Sequence, residues 1–132
     1  MRVLILGADG YLGWPTALDM LKKGNEVCLV DNYLRRNMAK DTQSEPLFDT
    51  PDLKERMALF SKITKRKGRV EILDCCDFDQ LLNLVKDFRP DTLIHFAEQP
   101  SAPYSMKGYK EARLTLDNNL ISTFNVIWSV IE

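Results

Sequence analysis

The chain opens on RVLIL (Arg2–Leu6), in which no position after the first is polar, and the type recurs at Glu26–Val30, Val70–Leu73 and Thr92–Phe96. Short apolar runs rich in branched side chains and bounded by turn residues predict strands buried on both faces, as in a parallel sheet. Between them the apolar positions spread to helical spacing. Trp14–Lys23 follows the first strand, with Pro15 tolerated in a first helical turn and Gly24 placed to end it. Asp77 is the expected N-cap of a helix carrying Phe78, Leu81, Leu82, Val85 and Phe88 on one face, closed by Pro90. From about Lys110 onward, Leu120, Phe124, Ile127 and Ile131 fall on one stripe, which predicts a last helix. The stretch between Asn32 and Gly68 is too long for a simple connection. It holds a further amphipathic segment, opened by Thr50 and Pro51, with Leu53, Met57, Phe60 and Thr64 on one face, so a helical insertion is expected at about 32–68.

Alternating strands and helices imply an α/β fold with right-handed crossovers: a doubly wound parallel sheet of the Rossmann type, its first four strands in the order 3-2-1-4. Such sheets usually continue past a fourth strand, whereas here a helix runs to Glu132 with no strand after it. The expectation is therefore that residues 1–132 are the amino-terminal part of a nucleotide-binding domain, without its catalytic and substrate portions.

Composition adds exclusions. At 132 residues, 45% hydrophobic and 28% charged, the chain has what one soluble domain needs for an ordinary core. A net charge of -1 argues against a nucleic-acid partner, although basic residues cluster at 62–69. Cys28, Cys75 and Cys76 are odd in number and lack CxxC spacing, which points to a reducing compartment, and with a single distant histidine they argue against a metal site. No apolar run approaches the roughly 20 residues of a membrane span. The first strand begins at Arg2, directly after Met1, so no leader is expected and the cytoplasm is the expected location.

The candidate chemistry sits where the first strand turns into its helix. Residues 7–13 read GADGYLG: Gly7 suits the tight turn, Gly10 lets backbone approach a pyrophosphate, and Gly13 permits close helix–strand packing. The helix amino terminus then faces the phosphate charge. Alone the glycine pattern is weak, but Asp31 follows 18 residues after Gly13, at the end of the second strand. Its carboxylate can accept hydrogen bonds from both ribose hydroxyls and would repel a 2′-phosphate, which favours NAD over NADP. Arg35 and Arg36 cut the other way, since arginines just past this strand are what an NADP pocket uses; they also read as a solvated loop, or as a grip on NAD phosphate or substrate. Asp74 and Cys75 close the third strand, where groups would lie against an adenine ring. His95, the one histidine, lies in a buried-looking strand and reads as a hydrogen-bonded structural residue.

GADGYLG, DN at 31–32, DCCDF at 74–78, HFAEQ at 95–99 and DNN at 117–119 together resemble the extended short-chain dehydrogenase/reductases. Within that superfamily the chain is most similar to the UDP-sulfoquinovose synthases, through GYLGWPTAL, EVCLVDNYLRR and, above all, EQPSAPYSM at 98–106. The resemblance implies an enzyme making UDP-sulfoquinovose from UDP-glucose and sulfite, working as a homodimer, with a bound NAD reduced and reoxidised within one cycle. Carried over by position, Gly7, Gly10, Tyr11, Leu12, Gly13, Asp31, Asn32, Arg35, Arg36, Asp74, Cys75, Phe96, Ala97, Glu98 and Asn118 would contact the cofactor. Gln99, Ser101, Ala102, Pro103 and Tyr104 would line the sugar or sulfite pocket, although SAPYSM also reads as a proline-bounded loop without a ligand. Plant-like members carry arginine where this chain has Pro100, which counts against a cationic sulfite contact there. The superfamily's catalytic tyrosine is followed four residues later by lysine, which lowers its pKa. Tyr11, Tyr33, Tyr104 and Tyr109 have Pro15, Asn37, Gly108 and Arg113 at that offset, so no catalytic residue is assigned and residues 1–132 alone are expected to be inactive. The alternatives are a nucleotide-sugar epimerase or dehydratase of the same superfamily, and a non-catalytic NAD-binding module.

Overall fold

The computed structural model describes residues 1–44 and 46–132. Four parallel strands, β1 (Arg2–Leu6), β2 (Glu26–Asp31), β3 (Arg69–Ile72) and β4 (Thr92–His95), form one sheet in the order β3-β2-β1-β4, the expected topology. Pairing is in step along β1, with Leu4 opposite both Cys28 and Leu93. The carboxyl ends of all the strands therefore reach the same side of the sheet.

Alternation along β1 and β2 divides the interior in two. Val3, Ile5, Val27 and Leu29 point to one face, where they pack with Ala17 and Leu21 of α1 (Gly13–Lys22) and with Leu53, Met57 and Phe60 of α3 (Leu53–Thr64). Leu4, Leu6, Cys28 and Val30 point to the other, against Leu81, Leu84 and Phe88 of α4 (Phe78–Phe88). Because both faces are covered, β1 and β2 read as unbroken apolar runs.

Between β2 and β3 the chain forms two helices, α3 and the shorter α2 (Leu34–Asp41). The amphipathic segment predicted there is α3, but its cap is Asp52: the carboxylate accepts from the Glu55 amide while Glu55 reaches back to the Asp52 amide, a capping box. α2 lies inside the helical insertion expected at about 32–68 but buries only Met38, which leaves no apolar period that marks it as a separate helix. A four-residue helix, α5 (Ala102–Ser105), lies within the segment that also reads as a loop, with Ser101 as its N-cap.

The last helix, α6 (Tyr109–Ile131), packs against α4 by a face other than its apolar stripe. Its buried residues are Ser122, Asn125 and Ser129, while Leu120, Phe124, Ile127 and Ile131 of the predicted stripe are all more than half exposed. The buried polar atoms are satisfied: Asn125 Nδ2 donates to the Cys75 carbonyl at 3.0 Å, and Ser129 Oγ donates to Val126 O at 2.9 Å. Among the described residues no helix is long and apolar enough to cross a membrane.

Candidate functional site

The glycine turn is wedged between β2 and β4. The Gly7 and Ala8 amides both donate to Val30 O, at 2.9 and 3.0 Å. Gly7 has φ of 79°, and a Cβ there would lie 2.5 Å from the Phe96 carbonyl carbon and 2.6 Å from the Ala97 nitrogen. A side chain would both strain the turn and push the chain leaving β4 away from it. Gly13 has no more room, since its Cβ would come within 2.7 Å of Ala8 Cα. Gly10 differs: among the described residues the only near neighbour of a Cβ would be Gly7 O at 3.3 Å, so the space above it is open. Among the described residues no side chain caps α1; the Trp14 amide already donates to Gly10 O at 3.2 Å and Pro15 has no amide hydrogen, so it is the positive end of the helix at Gly13 that faces an anion, with Tyr11 and Leu12 exposed at the lip.

Asp31 ends β2 beside this turn. Its Oδ2 accepts from the Asp9 amide and its Oδ1 from the Tyr33 amide, both at 2.8 Å. Burial pushes its carboxyl up from the ordinary value, opposed by those two hydrogen bonds. Each oxygen has a second lone pair, so the carboxylate still has capacity for two hydroxyl donors. Asn32 turns inward to accept from the Leu34 amide at 2.9 Å. The two arginines that follow diverge: Arg35 is exposed, whereas Arg36 folds back onto Asp9, with Nε 2.6 Å from Oδ2 and Nη2 2.7 Å from Oδ1. Arg56, from α3, pairs with the same Asp9 carboxylate. Neither Asp9 nor Arg56 was among the expected site residues; Asp9 stood inside the quoted motif, but nothing local in the sequence marks Arg56.

At the ends of β3 and β4 the expected residues serve different purposes. Asp74 is exposed and accepts from the Cys76 amide at 2.9 Å. Cys75 points its thiol into the core, where burial pushes it up to about 12, and its carbonyl accepts from Asn125. Among the described residues no three His, Cys, Asp or Glu side chains gather as metal ligands. His95 Nε2 lies 2.8 Å from Glu98 Oε1, which also accepts from Thr123 Oγ1 at 2.9 Å. His95 Nδ1 is buried without a partner among the described residues. Phe96 and Ala97 run past Gly7, and Asn118 Nδ2 reaches Ala97 O at 3.4 Å.

The segment at 98–106 is held by α6. Asn119 accepts from the Gln99 amide at 2.8 Å, while the buried Gln99 side chain accepts from Ser101 N at 2.5 Å and donates to Thr115 Oγ1 at 2.9 Å. Gln99 thus shapes the loop from within. Ser101 Oγ accepts from Tyr104 N at 3.3 Å, Tyr104 is buried beneath, and Ala102 and Pro103 are exposed.

The sequence matches the NAD dependent epimerase/dehydratase family over residues 3–130. The chain belongs to that family. It is 40% identical over 131 residues to the chloroplastic UDP-sulfoquinovose synthase of Spinacia oleracea, covering 99% of this chain and 27% of the relative. With the UDP-sulfoquinovose synthase of Sulfolobus acidocaldarius it shares 39% identity over 132 residues, 100% of this chain and 34% of the relative. The chain thus spans about a third or less of the length of these relatives. Its fold is that of a UDP-glucose-4-epimerase from Stenotrophomonas maltophila, solved with NAD and formylated UDP-arabinopyranose, at a TM-score of 0.76 and 20% identity over 98% of this chain and 33% of that one. The resemblance drawn from the segments at 10–18, 26–36 and 98–106 is therefore borne out, and the cofactor read from Asp31 is the one in the family's own description.

Proposed function

We propose that this chain is the NAD-binding portion of an enzyme that converts UDP-glucose and sulfite to UDP-sulfoquinovose. The observation that carries the reading is EQPSAPYSM at 98–106. It leaves β4 directly beside the glycine turn, at the carboxyl edge where doubly wound sheets bind ligands, in a chain about 40% identical to two UDP-sulfoquinovose synthases. NAD fits the residues present: the open space over Gly10 and the uncapped start of α1 suit a pyrophosphate, and the spare lone pairs of Asp31 suit a ribose. When bound, NAD supplies a reversible hydride acceptor. Asp31 orients the adenosine ribose, Gly7, Gly10 and Gly13 keep side chains out of the phosphate path, and Asn118 fixes the Ala97 carbonyl. Gln99 holds its loop rigid so that Ser101, Ala102 and Pro103 can meet the sugar or sulfite, with Tyr104 as the anchor beneath. We place the working protein in a reducing compartment such as the cytoplasm, in keeping with its free thiols, and read it as a homodimer through the exposed apolar face of α6.

The test is to incubate the full-length protein with NAD, UDP-glucose and sulfite and to separate the nucleotide products by chromatography. A sulfite-dependent product with the mass of UDP-sulfoquinovose is expected. UDP-galactose formed with or without sulfite would favour an epimerase, and no turnover despite NAD binding would favour a non-catalytic module.

A further inference from the structure

Asp9 gathers more charge than any other residue of the site. Its side chain is only 12% exposed, Arg36 grips it with two nitrogens, Arg56 pairs with Oδ1, and its own amide holds Asp31 Oδ2 at 2.8 Å. Each arginine is pinned a second time. Arg36 donates to Thr50 O at 2.8 Å and Pro51 O at 2.9 Å and lies 5.1 Å over the Tyr33 ring. Arg56 lies 4.5 Å over the Trp14 ring, and its Nε is buried without a partner among the described residues. With Asp31, the cluster holds two cations and two anions.

We propose that Asp9 is a second specificity-determining residue of the cofactor site: by capturing Arg36 and Arg56 it withholds from Asp31's surroundings the cations that a ribose 2′-phosphate would need. This rests on the NAD reading above. A guanidinium forks onto a carboxylate or a phosphate with the same geometry, so an internal carboxylate competes directly with an incoming phosphate. As the cluster stands it is neutral, and a 2′-phosphate would add charge of one sign beside Asp31. Without the Asp9 charge the cluster would be cationic, with Arg56 left in a partly buried place and short of an acceptor. The arginines that read as an NADP signature are thereby made compatible with NAD.

Titration of NAD and NADP against the full-length protein, Asp9→Asn, and Asp9→Asn combined with Arg36→Gln and Arg56→Gln tests this. Asparagine keeps the size and the main-chain bond to Asp31 and removes only the charge. The NADP-to-NAD affinity ratio should rise about tenfold or more in Asp9→Asn, the scale of a charge-assisted hydrogen bond, and fall back in the triple variant. A folded Asp9→Asn with an unchanged ratio, or a rise that persists in the triple variant, would overturn the proposal. Should Asp9→Asn fail to fold, Asp9→Glu and Arg36→Gln decide. The first should keep the unmodified ratio and the second should leave it no higher; a higher ratio in either variant would sink the idea. If the unmodified protein binds neither cofactor, the NAD reading itself fails, an outcome distinct from NAD binding with an unmoved ratio.

Discussion

Asp31 must be ionised to accept two ribose hydroxyls, yet its burial favours the protonated form. Binding should therefore weaken on acidification earlier than an ordinary aspartate, near pH 3.9, would allow. The sign is opposite for the empty protein: with the folded pKa raised, the Asp31 contribution to stability grows as pH falls through it and is lost as pH rises. Fluorescence titration of NAD across acidic pH should show affinity dropping in step with Asp31 protonation, and Asp31→Ala should flatten that dependence while costing about 1–3 kcal/mol of NAD binding at neutral pH. A pH slope surviving in Asp31→Ala would place the titrating group elsewhere. Gly10→Val makes the complementary test, because its branches enter the space left open for a pyrophosphate: NAD binding should be lost while circular dichroism stays that of the folded protein. Undiminished affinity would make the turn merely structural. Asp31 and the three glycines were legible because they form a spaced pattern, a glycine turn after one strand and an acid at the end of the next, 18 residues beyond Gly13. The capture was not, since Arg36 and Arg56 reach Asp9 across 27 and 47 residues of chain: the sequence singled out Arg36 but not its partner, and it did not mark Arg56.

At the scale of elements, what could be read was what packing writes into the sequence as a period. β1 and β2 were legible as buried runs, and α4 as a stripe, because their apolar residues are the core. α2 was not, since one buried methionine sets no period, and its start is fixed instead by Tyr33 in a left-handed conformation and by the Asp31 and Asn32 side chains taking the next amides. α6 shows the opposite case: its apolar stripe correctly announced a helix but lies on the exposed side, away from the face that packs on the domain. The face that packs on the domain is small and polar, and it works because each buried donor finds a carbonyl. Asn125 is the critical one, tying α6 to the turn between β3 and α4 through the Cys75 carbonyl. Asn125→Ala should lower stability by about 1–3 kcal/mol, the cost of stranding a buried acceptor, seen as a lower denaturant midpoint with an unchanged slope. A midpoint equal to that of the unmodified protein would show that this bond contributes nothing net.

For the molecule as a whole, the packing of α6 by its small polar face leaves an apolar surface facing outward. Leu116, Leu120, Phe124, Ile127 and Ile131 are each more than half exposed, and the Phe124 and Trp128 rings lie 6.0 Å apart on the same helix. Contiguous apolar surface of this kind on a soluble domain marks a place that is normally covered, and left open it drives association. The 132-residue chain expressed on its own should therefore self-associate in a concentration-dependent way, whereas its net charge of -1 supplies almost no repulsion to prevent it. Replacing Phe124 and Ile127 with serine should shift sedimentation velocity profiles toward the monomer without lowering helix content, because neither side chain belongs to the face that packs on α4. Two results would contradict this account: a monodisperse monomer for the unmodified chain, which would mean that the stripe is too dispersed to act as a surface, or association that persists in the serine variant, which would move the contact to another part of the molecule, such as the open side of β4.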